Sequence, residues 1–152
     1  MIRPTPAPDG ETGGAPVLVD TNVLMDVLTE DPTWFDWSAE ALAAAADRSV
    51  LVLNQLVYAE LAVGFPTIEA LDEALPADRF RREPLPWDAG FLAGKAFLAY
   101  RRRGGDRRSP LPDFYIGAHA AVRDYAVLTR DAARYRTYFP RLRVIAPDSP
   151  LG

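Results

Sequence analysis

Four carboxylates in this 152-residue chain stand where side chains can act on a ligand. Asp20 directly follows the apolar run Val17-Leu18-Val19. Glu60 is the one charge between Leu56 and Val63. Asp113 opens the apolar stretch Phe114-Tyr115-Ile116-Gly117-Ala118, and Asp131 follows the run Ala126–Thr129. Each has a plain structural alternative. The three aspartates could cap or charge helix N-termini, which favour negative groups. Glu60, bordering an apolar face with Leu56 and Val63, could pair with an arginine. Gathered in one place without a counter-ion, the four would repel one another and raise each other's pKa values. A divalent cation removes that repulsion, activates water and stabilises charge on a phosphoryl oxygen. With arginines nearby, this is the usual equipment for phosphodiester hydrolysis.

Composition narrows the chemistry. The chain has no cysteine and one histidine, which excludes disulfides, thiolate chemistry and a Cys/His zinc site. Oxygen ligands then favour hard cations such as Mg²⁺ or Mn²⁺. Ser38, Ser49, Ser109 and Ser149 lie in no G-x-S-x-G sequence, and no P-loop motif occurs. His119 follows Asp113 by six residues, about 240° around a helix, so it is read as a packing or hydrogen-bonding residue. There is no secretory h-region and no run of 18 apolar residues, so the expectation is a cytoplasmic protein without a membrane span.

The net charge of −4 hides an asymmetry. Residues 1–78 hold 14 acids against 2 arginines, and residues 79–143 hold 15 cations against 6 acids. A carboxylate-rich half beside an arginine-rich half suits a protein that binds cations and meets a polyanion. Arg101, Arg102, Arg103, Arg107 and Arg108 flank Gly104-Gly105 just before Asp113. They read either as a backbone-phosphate clamp near the metal or as a solvated helix end favoured by the dipole. Trp34, Trp37, Phe91 and Phe97 are assigned to the core or a dimer interface.

The elements that must position these residues follow from periodicity and punctuation. Residues 1–16, with four prolines and three glycines, read as a disordered tail, residues 17–146 as one domain, and residues 147–152 as a C-terminal tail. Short apolar strands are expected at Val17–Val19, Val50–Leu53, Phe80–Leu85, Ala126–Thr129 and Leu142–Ile145, with Pro84 and Pro86 limiting the third to an edge. Helices are expected after the capping residues Asp20-Thr21-Asn22 to about Leu28, and at Trp34–Asp47, Gln55–Val63, Thr67–Leu75, Trp87–Arg103, Pro112 to about Tyr125, and Asp131–Tyr138. This alternation predicts an α/β fold with a parallel sheet covered on both faces and a ligand crevice at the carboxyl ends of its strands.

Val19-Asp20-Thr21-Asn22-Val23-Leu24, Tyr58-Ala59-Glu60-Leu61, Leu111-Pro112-Asp113-Phe114-Tyr115-Ile116-Gly117-Ala118-His119-Ala120 and Leu128-Thr129-Arg130-Asp131 resemble, in order and spacing, the acidic motifs of PIN domains, above all those of VapC-type toxins. The resemblance covers residues 17–146. It implies a PIN-like three-layer α/β/α sandwich with a central, mainly parallel sheet, and an endoribonuclease dependent on Mg²⁺ or Mn²⁺ that leaves a 5′-phosphate and a 3′-hydroxyl. Asp20, Glu60, Asp113 and Asp131 would be the catalytic, metal-holding quartet. Asn22 and Thr129 would position the acids or a water on the metal. A homodimer and a cognate antitoxin protein are implied as partners. The Pro/Gly-rich tail departs from the pattern without touching a motif. A housekeeping PIN nuclease in RNA processing, or a PIN-like module that grips RNA or protein without cutting, remain the alternatives.

Overall fold

The computed structural model describes residues 14–105 and 111–147. Its elements run β1 (Val17–Val19), α1 (Thr21–Leu28), α2 (Phe35–Arg48), β2 (Leu51–Leu53), α3 (Gln55–Ala62), α4 (Ile68–Ala74), β3 (Phe80–Arg82), α5 (Trp87–Arg102), α6 (Leu111–Arg123), β4 (Ala126–Leu128), α7 (Ala133–Tyr138) and β5 (Val144–Ile145). The five strands form one sheet in the order β3-β2-β1-β4-β5, and every pairing is parallel. Helices cover both faces, giving the three-layer α/β/α arrangement.

The strands are only two or three residues long, but β1, β2 and β4 are buried throughout. That is why they read as unbroken apolar runs rather than as alternating patterns. The register sets Val17 beside Leu51 and Ala126, and Val19 beside Leu128. From β1 the sheet grows through β2 and β3 to one side and through β4 and β5 to the other. The order therefore reverses at β1 and β4, where parallel sheets open a crevice at their carboxyl ends.

Away from the sheet, α5 packs along α6, with Ala89, Ala93 and Ala96 as its buried side. Phe114 of α6 anchors an aromatic cluster with Phe97, Tyr100, Tyr138 and Phe139 at ring separations of 5.2–6.5 Å. Gly117 permits a close approach in this layer, since a Cβ there would fall 2.5 Å from the Phe139 ring.

Several boundaries differ from expectation for local reasons. The third strand stops at Arg82 and does not reach Leu85, because Pro84 lies beyond it on the edge strand. Helix α6 ends at Arg123, where Asp124 turns to φ 60° and Tyr125 N–H bonds the Ala120 carbonyl. Asp131 does not open a helix: α7 begins at Ala133, after Ala132, and carries no side-chain cap. Pro16, within the expected tail, joins the sheet through its carbonyl, which accepts from Ala126 N–H. The rest of the proposed N-terminal tail, residues 1–13, and residues 148–152 of the C-terminal one lie outside the described residues.

Candidate active site

The crevice forms where β1 and β4 end side by side. Asp20 is the first residue past β1, and its backbone N–H is pinned to the Leu128 carbonyl of β4. Its side chain is buried, 5% exposed. One oxygen, Oδ1, accepts from Thr21 N–H at 2.7 Å and caps α1. The other, Oδ2, accepts from the Thr129 hydroxyl at 2.8 Å and the Tyr135 hydroxyl at 2.9 Å. One oxygen thus caps the helix while the other is held by two buried hydroxyls at the crevice. Burial and the neighbouring Asp113 charge push the Asp20 carboxyl up to about 6, although all three hydrogen bonds act against that rise.

Thr129, the first residue past β4, is fully buried. Its hydroxyl has one proton, given to Asp20, and its lone pairs take Asp131 N–H at 3.1 Å and Asn22 Nδ2 at 3.3 Å. Asn22 Oδ1 in turn accepts from Arg130 N–H at 3.3 Å. Thr129 and Asn22 therefore tie Asp20 to the loop that carries Asp131. Asp131 itself is exposed in that loop.

Asp113 lies in the first turn of α6. Its Oδ2 accepts from Arg134 Nη1 at 2.7 Å. Burial raises the Asp113 carboxyl above its ordinary value, Arg134 opposes the rise, and the charges of Glu60 and Asp131 add to it. Glu60 departs from the sequence argument. It is exposed, not set against an apolar face, and its Oε1 accepts from the Thr21 hydroxyl. The buried row of α3 is Val57 and Leu61, rotated about 100° from the row of Leu56 and Glu60. Val63 at the end of that helix is 90% exposed.

The topology thus brings the four acids into one electrostatic neighbourhood. Asp20 responds to Asp113, and Asp113 responds to Glu60 and Asp131. Their carboxylates are not drawn together: among the described residues no three Asp, Glu or His side chains stand close enough to share a metal ion. Mutual repulsion keeps like charges apart, and Asp113 has turned to a guanidinium. In donor type the site suits a hard divalent cation. The acids supply only oxygen, and a buried carboxyl raised by a second acid is the group such a cation would relieve.

Four contributors escaped the sequence reading. Tyr135, 1% exposed, lies on the inward row of α7 with Ala132 and Phe139, a spacing visible in the sequence. Arg134 and Thr21 are ordinary helix residues whose partners come from distant segments. Asp26, 2% exposed, accepts from Ser38 Oγ at 2.7 Å and Arg130 Nε at 2.8 Å, and Arg130 also lies over the Trp34 ring. It fixes the loop between Thr129 and Asp131 from the α1 side.

The remaining candidates sort by position. Arg101, Arg102 and Arg103 are exposed at the end of α5. Arg102 and Arg103 join Lys95, Thr137 and Tyr138 in lining a groove of about 510 Å³ between α5 and α7. Arg107 and Arg108 lie outside the described residues. His119 is fully buried, accepting at Nδ1 from Asn54 Nδ2 and donating from Nε2 to Glu83 at 3.0 Å. Trp37 and Phe97 pack against the core, whereas Phe91 is 71% exposed.

The geometry agrees with what comparison with known proteins finds. The PIN domain family model matches residues 17–140. No curated protein matches the sequence. Among solved structures, the chain is similar to one in VapBC2 from Rickettsia felis bound to a DNA fragment from their promoter (TM-score 0.68, 18% identity, 88% of this chain and 99% of that chain). It is also similar to chains in FitAcB from Neisseria gonorrhoeae (0.65, 20%, 86% and 97%) and VapBC-1 from nontypeable Haemophilus influenzae (0.67, 18%, 86% and 97%). No helix among the described residues is long and apolar enough to cross a membrane. With the motifs, the parallel sheet and the family match in agreement over the same span, the chain belongs to the PIN domain family.

Proposed function

We propose that this PIN domain is a divalent-metal-dependent endoribonuclease and the toxin of a toxin–antitoxin pair. The observation that carries the reading is Asp20: a nearly buried acid at the switch point of a parallel sheet, held by three donors and pushed up to about 6 by burial and by Asp113. A carboxylate kept in that state is poised for a cation. Asp20, Glu60, Asp113 and Asp131 would hold Mg²⁺ or Mn²⁺. When bound, the ion supplies Lewis-acid stabilisation of the phosphoryl oxygen and activation of water.

The chain's own residues do the rest. Thr129 and Tyr135 fix the Asp20 carboxylate by donating to the same oxygen, and Asn22 holds the Thr129 loop. The arginines at the end of α5 would draw the RNA backbone toward the crevice. In-line attack by water would leave a 5′-phosphate and a 3′-hydroxyl.

Similarity to chains from toxin–antitoxin complexes supports a small antitoxin as partner. So do the exposed apolar side chains Val63, Ile68, Trp87 and Phe91, which are available to an antitoxin or a second copy in a homodimer. Incubation of purified protein with RNA, with Mn²⁺ or with EDTA, tests the activity. Cleavage should require metal and should fall at least about 100-fold in Asp20→Asn, with the circular dichroism of the wild type retained. Cleavage that persists in EDTA would refute the metal dependence. Harmless expression of the protein alone, with no binding by the product of the adjacent gene, would remove the toxin reading and leave a housekeeping nuclease.

A further inference from the structure

Two features of the acid site belong together. Arg134 Nη1 donates to Asp113 Oδ2 at 2.7 Å, both side chains being about one-third exposed. Yet no three acids of the described chain stand close enough to share an ion. A guanidinium pairs with carboxylates through up to five donors in a planar fork and cannot lose its charge. It is therefore a permanent monovalent cation supplied by the protein. The Arg134 head is also braced on its far side, 5.8 Å from the centre of the Tyr100 ring, and α7 carries it beside Tyr135, which holds Asp20. The same short helix thus reaches two of the four acids, one with a hydroxyl and one with a charge.

We propose that Arg134 is the site's resident counter-cation and competes with the divalent ion for Asp113. In the metal-free protein it neutralises the acid that would otherwise face Asp20, Glu60 and Asp131 unpaired. The divalent ion would either displace Arg134 from Oδ2 or share Asp113 with it through Oδ1, and in both cases the guanidinium charge opposes its binding as the acids draw together. The metal affinity of this chain is consequently lower than its four carboxylates alone would give. This rests on the metal-binding reading of the quartet, and it adds a residue and a direction of effect that the acidic motifs do not contain.

The test is calorimetric titration of the full chain with Mn²⁺ alone, without RNA. Arg134→Gln, which removes the charge and keeps the chain length similar, should bind Mn²⁺ about fivefold more tightly, equivalent to about 1 kcal/mol. Arg134→Lys, which keeps the charge but lacks the fork, should fall between wild type and Arg134→Gln, and it carries the test if the glutamine variant does not fold. Arg48→Gln, at the end of α2 that leads into the amino end of β2, away from the carboxyl ends that form the crevice, controls for net charge and should match wild type. Equal or weaker Mn²⁺ binding in Arg134→Gln would overturn the proposal, as would equal tightening in Arg48→Gln. Binding by wild type that is lost in Asp113→Asn but unchanged in Arg134→Gln sinks this proposal alone. If no variant binds Mn²⁺ at millimolar concentration, the metal reading fails and takes this one with it.

Discussion

At the scale of single residues, the site is governed by how one carboxylate is held. Asp20 divides its oxygens between a helix cap and two buried hydroxyls. Tyr135 is the donor whose removal is cleanest, because phenylalanine keeps its volume in a fully packed position. Tyr135→Phe should lower RNA cleavage by about tenfold and unfolding free energy by about 1.5–3 kcal/mol, the worth of one hydrogen bond to a charged acceptor. Cleavage assays beside urea denaturation would check both. Full activity in this variant would show that Thr129 and the Thr21 N–H suffice to position Asp20.

At the scale of elements, two further contacts hold α6, which carries Asp113, besides its packing along α5. One is polar. His119 of α6 bridges Asn54, the cap of α3, to Glu83 beyond β3, and Tyr125 also donates to Glu83 at 2.8 Å. Burial holds His119 below its ordinary pKa, so it is kept neutral, although the Glu83 charge opposes this. Burial disfavours the Glu83 charge, but the bonds from His119 and Tyr125 outweigh it and hold the carboxyl below its usual range. Both groups are depressed in the fold, so in each case the unfolded chain takes up its proton first as pH falls. Stability from the network should be complete at pH 7. It should decline as pH drops below about 6.5 for His119 and further below about 4.5 for Glu83, the ordinary values of the two groups. His119→Gln should flatten the upper part of that decline in denaturation curves measured from pH 7 to pH 5; an unchanged slope would count against the assignment.

The other contact is apolar. At Gly117 an added Cβ would meet the ring of Phe139 at 2.5 Å, and Phe139 is itself buried. Gly117→Ala gains helix propensity of about 1 kcal/mol but must displace a packed ring, at a cost of about 1–3 kcal/mol. The expected outcome is a net loss of up to about 2 kcal/mol, read from a lower urea midpoint. A variant more stable than wild type would mean that the ring yields freely.

At the scale of the whole molecule, charge is separated along the chain and partly reunited in space. Most of the acids precede residue 79 and most of the arginines follow it. Folding nevertheless returns Arg130 to Asp26, and Arg82 to Asp72 at 2.8 Å. The exposed cations at the end of α5 remain on the surface beside the α5–α7 groove. Replacement of Arg101, Arg102 and Arg103 by glutamate should weaken RNA binding and flatten its dependence on salt by about one unit of logarithmic slope per lost phosphate contact. Metal affinity should change little. An unaltered slope would assign these arginines to the helix dipole alone.

The order of the elements, the parallel sheet and the edge position of the third strand were legible in the sequence. Buried parallel strands write themselves as apolar runs, and prolines and glycines mark where elements stop. The place of Asp20 was legible because the residue after a buried strand enters the crevice, whereas Thr129 was expected to end the strand itself and was named only through the resemblance. Local signals failed where burial depends on rotation about a helix axis: Glu60 has apolar neighbours in sequence, but α3 turns Val57 and Leu61 inward and leaves Glu60 in water. They failed also where a partner lies far along the chain. The pairing of Arg134 with Asp113 spans 21 residues, and that of Tyr135 with Asp20 spans 115. The types and spacing of residues determined which acids could meet. Only the tertiary structure decided which hydroxyl and which guanidinium would meet them, because such contacts are set by the packing of α7 against α5 and α6 and not by any pattern within α7.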